Sequence, residues 1–508
     1  MPTKKHELII YKKKHYAEVI RASYTKKETT FLSPEKSSFQ FGILAHKKGF
    51  KEPAHYHRPF KRTIDDLQQM FVVQKGKIRV DLFSDSKKLI RKIILKKGDA
   101  IVLIHGIHAI TVLEDMQCIS VKQGPFLGAK FDKVDVKKKK KKNMIPVFKP
   151  ILKKKDINAA CDTIKKGEIS ETYSKSIDLL ERNFAKFNKT KYAVSVSSGT
   201  TALHLSIACL NLPKGSEVLV SSTTNIATAL AVTHNNLTPI FIDSKIDTWN
   251  IDEKSIEKKI TKKTKAILVV HFLGNPCRMD IISKIAKKHK LFLIEDCAEA
   301  HGAMYKNKMV GSFGIAGCYS FYANKIISSG EGGLITTNNK NFYNKLKLYK
   351  NLGFTKPRFK HYIQGYNFRM TGMQASIANS QLSYIDEIIK KKRLIQKIYQ
   401  KNLKNKNIYF LKEEKNALSV YWMVGILLSD KIKISKNQLQ YRLKKLGIDS
   451  RSFFMSMNDQ PCFKKFRSKF ITKNSNTLWN RGLYLPSSHD LNEQKIKFIS
   501  KKVLEIIN

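Results

Sequence analysis

A lysine that attacks a carbonyl must shed its proton first, and Lys325 is the lysine of this 508-residue chain whose surroundings favour that loss. The apolar run Cys318-Tyr-Ser-Phe-Tyr322 reads as a strand that delivers Lys325 to a turn. Ser328-Ser-Gly-Glu-Gly-Gly333 follows as a flexible segment through which backbone can approach a ligand closely. A desolvated amine in such a turn can form a Schiff base. A lysine beside a Gly-rich turn is usually structural, so the reading depends on what accompanies it.

Two further constellations lie upstream. Tyr192-Ala-Val-Ser-Val196 alternates like a buried strand, and Ser197-Ser-Gly-Thr-Thr201 turns it into the helical pattern Ala202–Leu210. A strand, a small hydroxyl-rich turn and a helix start make an anion site, because the first N–H groups of the helix have no intrahelical acceptor and the positive end of the dipole faces the turn. Leu291-Phe-Leu-Ile294 is a continuous apolar strand that ends in Glu295-Asp-Cys-Ala-Glu-Ala-His-Gly302. Carboxylates at the carboxyl end of a buried parallel strand stand where open α/β sheets bind ligands. A buried Asp296 needs a cationic partner, and a protonated pyridine nitrogen is one. A phosphate cradle, a strand-end aspartate and a turn lysine, in that order, are what pyridoxal 5′-phosphate (PLP) chemistry requires of a protein.

From Met144-Ile-Pro-Val147 onward the chain resembles the DegT/DnrJ/EryC1/StrS sugar-nucleotide aminotransferases of fold type I. The resemblance is carried by Ser198-Gly-Thr-Thr-Ala-Leu203, Thr248-Trp-Asn-Ile251, Val270-His-Phe-Leu-Gly-Asn-Pro-Cys277, Glu295–Ala303, Gly311-Ser-Phe-Gly314 and Gly365-Tyr-Asn-Phe-Arg-Met370. Ser320–Lys325, Gly330–Gly333 and Tyr421-Trp-Met423 look most like the perosamine-synthase branch, which aminates C4 of a GDP-linked 4-keto-6-deoxy sugar. The resemblance implies that Lys325 holds PLP as an internal aldimine and moves the proton between cofactor and sugar. It also implies that Asp296 holds the pyridinium proton, that Glu299 faces the 3-hydroxyl side, and that Gly199, Thr200 and Ser320 contact the phosphate. Asn367 corresponds to a residue reaching the phosphate from a neighbouring subunit, which implies a homodimer. Where members carry an aromatic residue near the cofactor ring stands Asn225. Related 3-dehydratases replace the lysine by histidine, so Lys325 argues for transamination, with L-glutamate as the implied amino donor and a nucleotide-linked keto-sugar as acceptor, for surface polysaccharide or O-antigen biosynthesis.

The first third of the chain is a different object. Phe39–Leu44, Met70–Val73, Lys77–Phe83, Ala100–Ile104 and Gln117–Lys122 read as short strands with polar turns, the spacing of an all-β barrel or sandwich. Gly49, His55-Tyr-His57, Gln69 and Gly76 approximate the first motif of the cupin fold, and Gly98 with Gly106-Ile-His108 the second. A His-x-His on one strand puts both rings on one face, and His55, His57 and His108 together are candidate pocket residues. Gln69 stands near the place of the usual glutamate ligand, so a metal-free sugar-binding or isomerising barrel is preferred to a metal site. This region resembles, more loosely, the cupins of sugar-nucleotide pathways, including 3,4-ketoisomerases and epimerases. That leaves two alternatives: a 3-keto-sugar aminotransferase coupled to a cupin ketoisomerase, or a cupin that only binds or assembles.

Length and charge complete the reading. The expected organisation is a cupin-like β-barrel over 1–134, a Lys-rich linker over 135–143, a large α/β PLP-binding domain over 144–380 and a smaller α+β domain over 381–508. The last is opened by an amphipathic helix whose apolar stripe is Ile385, Ile388, Ile389, Ile395, Ile398 and Leu403. Lys plus Arg number 95 against 41 Asp plus Glu, a net charge of +54. The excess is mostly lysine spread along the whole chain, without arginine and aromatic clusters, which argues against a nucleic-acid partner and for solvated surfaces that steer anionic substrates inward. Seven cysteines with no C-x-x-C pair imply a reducing compartment, and no run of about 18 apolar residues is present, so a cytoplasmic protein without a membrane span is expected.

Overall fold

The structure, a computed structural model, describes residues 5–33, 39–51, 68–122, 144–467 and 472–507. The chain divides into two compact units, Met1–Lys138 and Lys139–Asn508, and the division falls within the lysine run. The predicted linker, 135–143, lies outside the described residues, as do His55 and His57.

The N-terminal unit is built on a six-stranded antiparallel sheet. Its spatial order is His6–Tyr11, Lys14–Ile20, Ala100–Leu103, Gln69–Phe83 and Leu89–Lys96, with Ile107–Lys122 paired along the other side of Gln69–Phe83. Inward positions fall at every second residue of a strand, so Ala17 and Val19, Val73, Ile78 and Val80, and Ile101 form one apolar core. The two strands expected at 70–73 and 77–83 are one strand. Gly76, at φ +80°, lies where the pairing shifts register, and a side chain there would collide with the Asp115 carbonyl. All-β character holds, but closure does not: among the described residues the sheet is open, with Ile107–Lys122 at its edge. What the described residues show of the expected cupin-like barrel is thus a half-barrel sheet, a loose fit to it.

The second unit begins with a seven-stranded sheet in the order Thr238–Ile242, Glu217–Ser221, Thr264–Val270, Phe292–Asp296, Ala316–Ser320, Gly333–Thr337 and Tyr192–Val196. Gly333–Thr337 is antiparallel to both neighbours, and the other six strands run in one direction. The strands are largely apolar because both faces are covered. Val218, Val220 and Leu268 join the helices Gly199–Ala208 and Ile226–Thr233 on one face, while Leu219, Ile267 and Val269 join the helix Met279–Lys288 on the other. A four-stranded antiparallel sheet follows, ordered Ile408–Phe410, Val424–Leu428, Gly482–Leu485 and Arg451–Ser452. It shares a core with the helices Ile385–Asn402 and Glu493–Ile507. The predicted stripe of the first of these helices is buried at Ile385, Ile388, Ile389 and Ile395.

Candidate active site

Six strands pointing one way bring their carboxyl ends to one edge of the sheet, and the chemistry-bearing residues lie there. Tyr192–Val196 runs into Ser198, which caps the helix Gly199–Ala208: its Oγ accepts from the Thr201 N–H at 3.1 Å, and Thr201 Oγ1 accepts from the Ser198 N–H at 2.9 Å. The cap leaves the first turn of the helix open toward the sheet edge. Close packing of three segments requires glycine at two positions. A Cβ on Gly199 would stand 2.6 Å from Ser320 Cβ, and one on Gly333 would stand 2.8 Å from the Gly199 nitrogen.

Asp296 ends its strand 5% exposed. Oδ1 accepts from the Ala298 N–H at 3.0 Å and Oδ2 from Thr228 Oγ1 at 2.8 Å. Burial outweighs these bonds and pushes its carboxyl above the ordinary range. Three residues on, Glu299 is pushed up to about 7, again chiefly by burial. Its Oε2 accepts from the Leu273 N–H at 2.9 Å, and Leu273 takes φ +53° in the tight turn that presents this N–H. Its Oε1 stands 3.8 Å from Lys325 Nζ. Lys325, with a side chain 12% exposed, follows the strand Ala316–Ser320 on a turn closed by its own N–H to the Tyr322 carbonyl at 2.9 Å. Desolvation lowers its pKa, against the pull of Glu299 and Asp296. The ring of Trp422 covers the amine at 4.2 Å and anchors to the same turn, its Nε1–H donating to the Asn324 carbonyl at 2.6 Å.

These groups line one cavity of about 480 Å³. Of the residues singled out in the sequence, Gly199, Thr200, Asp296, Glu299, Ser320 and Lys325 all face it. Asn225 also lines it, and its Oδ1 caps the next helix by accepting from the Ala227 N–H at 3.0 Å. Asn367 does not line the cavity of its own chain; it forms a backbone bridge with Asn351. His108 is exposed on the edge strand of the N-terminal unit, opposite Leu82. Thr228, Arg451, Ser452 and Tyr484 are additions that no motif announced.

One buried trio, His271, Glu295 and Cys297, has the spacing of a metal site. Glu295 is already engaged, accepting from the N–H groups of Gly311, Phe313 and Gly314 at 2.7–2.8 Å and lying 3.2 Å from His271 Nε2. This is a latch that holds the Gly311–Gly314 turn, and it explains that motif without an ion.

The cavity fits PLP on the chemistry of its donors. Glycine backbone and hydroxyls at a helix start suit the phosphate, a buried carboxylate with an elevated pKa calls for a cation such as a pyridinium N–H, and a desolvated lysine beside it suits the aldehyde carbon. A doubly covered α/β sheet with this trio at its carboxyl edge defines a PLP-dependent aminotransferase fold. The sequence profile of the DegT/DnrJ/EryC1/StrS aminotransferase family matches residues 150–504, and the chain belongs to that family. Its cofactor is PLP. GDP-perosamine synthase of Escherichia coli O157:H7 is 38% identical over 363 residues, 71% of this chain and 98% of that protein. The dTDP-3-amino-3,6-dideoxy-alpha-D-galactopyranose transaminase of Aneurinibacillus thermoaerophilus is 42% identical over 234 residues, 46% of this chain and 64% of that protein. Among solved structures, Helicobacter pylori PseC, an aminotransferase involved in the biosynthesis of pseudoaminic acid, superposes with a TM-score of 0.69 at 26% identity, over 72% of this chain and 99% of its own. The family profile begins at residue 150, beyond the N-terminal unit. Among the described residues no helix is long and apolar enough to cross a membrane.

Proposed function

We propose that this protein transfers the amino group of L-glutamate to C4 of a nucleotide-linked 4-keto-6-deoxy sugar. The observation that carries the reading is Lys325 beside Glu299 and Asp296 in a cavity at the sheet edge, in a chain 38% identical to a GDP-perosamine synthase. PLP, when bound, supplies an electron sink for the carbon that carries nitrogen. The chain's own residues do the rest. Asp296, kept in place by Thr228 and Ala298, holds the proton on the ring nitrogen. Ser198, Gly199, Thr200 and Ser320 hold the phosphate end. Lys325 gives and takes the proton at the reacting carbon, for which an amine lowered by desolvation is suited near neutrality. Glu299, with a pKa of about 7, takes up or releases charge as the lysine does, so the pair changes protonation without leaving an unpaired buried ion.

Asn367 points to the assembly. It does not line the cavity of its own chain, which is compatible with a homodimer in which it serves the neighbouring copy's phosphate site. For the N-terminal unit we propose a cupin-like module acting on the same sugar nucleotide in the cytoplasm, with His55, His57 and His108 in its pocket. The identity to a dTDP-3-amino-sugar transaminase favours a second reading, in which this unit shifts the ketone and the amine is placed at C3. A panel of 3-keto- and 4-keto-sugar nucleotides incubated with glutamate, with products assigned by NMR, tests both. A C4 amine from a 4-keto substrate supports the first reading and a C3 amine the second. No amine from any member overturns both.

A further inference from the structure

Lys392 is the least explained ion in the second unit. It lies on the inward face of the helix Ile385–Asn402, where Ile385, Ile388, Ile389 and Ile395 are apolar, and it is 1% exposed. It makes no ion pair among the described residues, and the aromatic ring of Phe148 lies 5.1 Å from its amine. An ammonium taken out of water is costly unless it is well paired, so an aliphatic residue would satisfy packing alone at that position. Burial pulls its pKa down to about 7, with Asp490 acting against the shift.

Its hydrogen bonds say what it does. Nζ donates to the carbonyl of Trp422 at 2.8 Å and to the carbonyl of Ser487 at 2.6 Å. The Trp422 indole N–H donates to the Asn324 carbonyl, the peptide group immediately before Lys325, and the indole ring lies against the Lys325 amine. The backbone just before Trp422 is in the left-handed region, with Tyr421 at φ +48°, a conformation that needs support from outside the segment. Ser487 extends the tether: its N–H donates to the Val147 carbonyl at 2.7 Å, and its Oγ accepts from the Val424 N–H at 2.8 Å. Val147, Trp422 and Met423 all line the cavity.

We propose that Lys392 is a positioning residue for the reaction: by holding the Trp422 carbonyl it fixes the indole that grips the turn before Lys325, and so sets where the reactive amine points. The inference rests on the reading of Lys325 as the cofactor lysine. A nucleophile displaced by about 1 Å loses on the order of a hundredfold in rate. The test uses the full-length apoprotein and the variants Lys392→Met, Trp422→Phe and the double variant, each treated with PLP and borohydride at several pH values, with label on Lys325 quantified by peptide mapping.

Lys392→Met is expected to slow labelling of Lys325 about tenfold or more and to lower kcat further than it raises KM. Trp422→Phe should do the same, and the double variant should be no worse than the worse single, because both changes cut one chain of contacts. Additive losses, or unchanged labelling in a folded Lys392→Met protein, overturn the proposal. Should Lys392→Met fail to fold, Trp422→Phe alone decides, since unchanged Lys325 labelling there breaks the same chain. Absence of label on Lys325 in the wild-type protein refutes the functional reading instead, so the two failures are distinct.

Discussion

Asp296→Asn exchanges one buried carboxylate oxygen for an NH₂ while keeping the shape of the side chain, and the structure sets the expected size of the effect. The Ala298 N–H at 3.0 Å and Thr228 Oγ1 at 2.8 Å occupy one direction on each oxygen, leaving the remaining lone pairs turned to the cavity. The amide retains the bond from Ala298, and no longer holds a proton on a pyridine nitrogen. A hydrogen bond to a charged group contributes about 1.5–3 kcal/mol, so turnover with saturating PLP should fall roughly 10- to 150-fold while cofactor content stays near wild type. The apoprotein should respond in the opposite sense. Burial raises the Asp296 pKa, so its contribution to stability is complete below the ordinary carboxylate pKa and is lost as pH rises through the raised value. The asparagine variant has no such loss, and its apo melting temperature should fall less than the wild type's as pH rises above the ordinary carboxylate range. Stopped assays of both half-reactions and calorimetry of the apo forms measure the two effects. Near-normal turnover, or an identical pH dependence of apo stability, would refute the role given to Asp296.

Glu299→Gln should flatten apo stability between about pH 4.5 and pH 7, because a carboxyl raised to about 7 withdraws stability across that interval; calorimetry across the interval is the check. Mixing inactive Lys325→Ala protein with an inactive Asn367→Ala variant should restore activity in exchanged dimers, since one site of each hybrid then holds both wild-type residues; proven exchange with no recovery rules out a shared site. Replacing His55 and His57 together by alanine should leave transamination of a supplied keto-sugar intact and abolish any ketone migration seen beforehand. Loss of transamination with the fold preserved would show that the N-terminal unit takes part in the aminotransferase site.

The parts of the site that follow a strand were readable in the chain, because a buried parallel strand is a continuous apolar run and whatever follows it lies at the ligand edge. Asp296, Lys325 and the turn that holds Gly199 were found that way, and Ser320 through the family resemblance. Thr228, Trp422, Arg451 and Tyr484 were not assigned roles, since they arrive from a helix, from the segment before a strand and from two strands of the second sheet, through tertiary packing that no local period encodes. Glu295 looked as ligand-like as Asp296 next to it, and only the Gly311–Gly314 turn folded onto it shows that its partners are backbone. In the N-terminal unit strand character was legible while extent was not: Gly76 looked like a turn between two strands and is a bulge within one.

The account stands on Lys325 as the residue that holds PLP. Purified protein should show visible absorbance that borohydride abolishes, with the reduced cofactor recovered by peptide mapping on Lys325. Label on another lysine, or a protein that takes up no PLP, would contradict it.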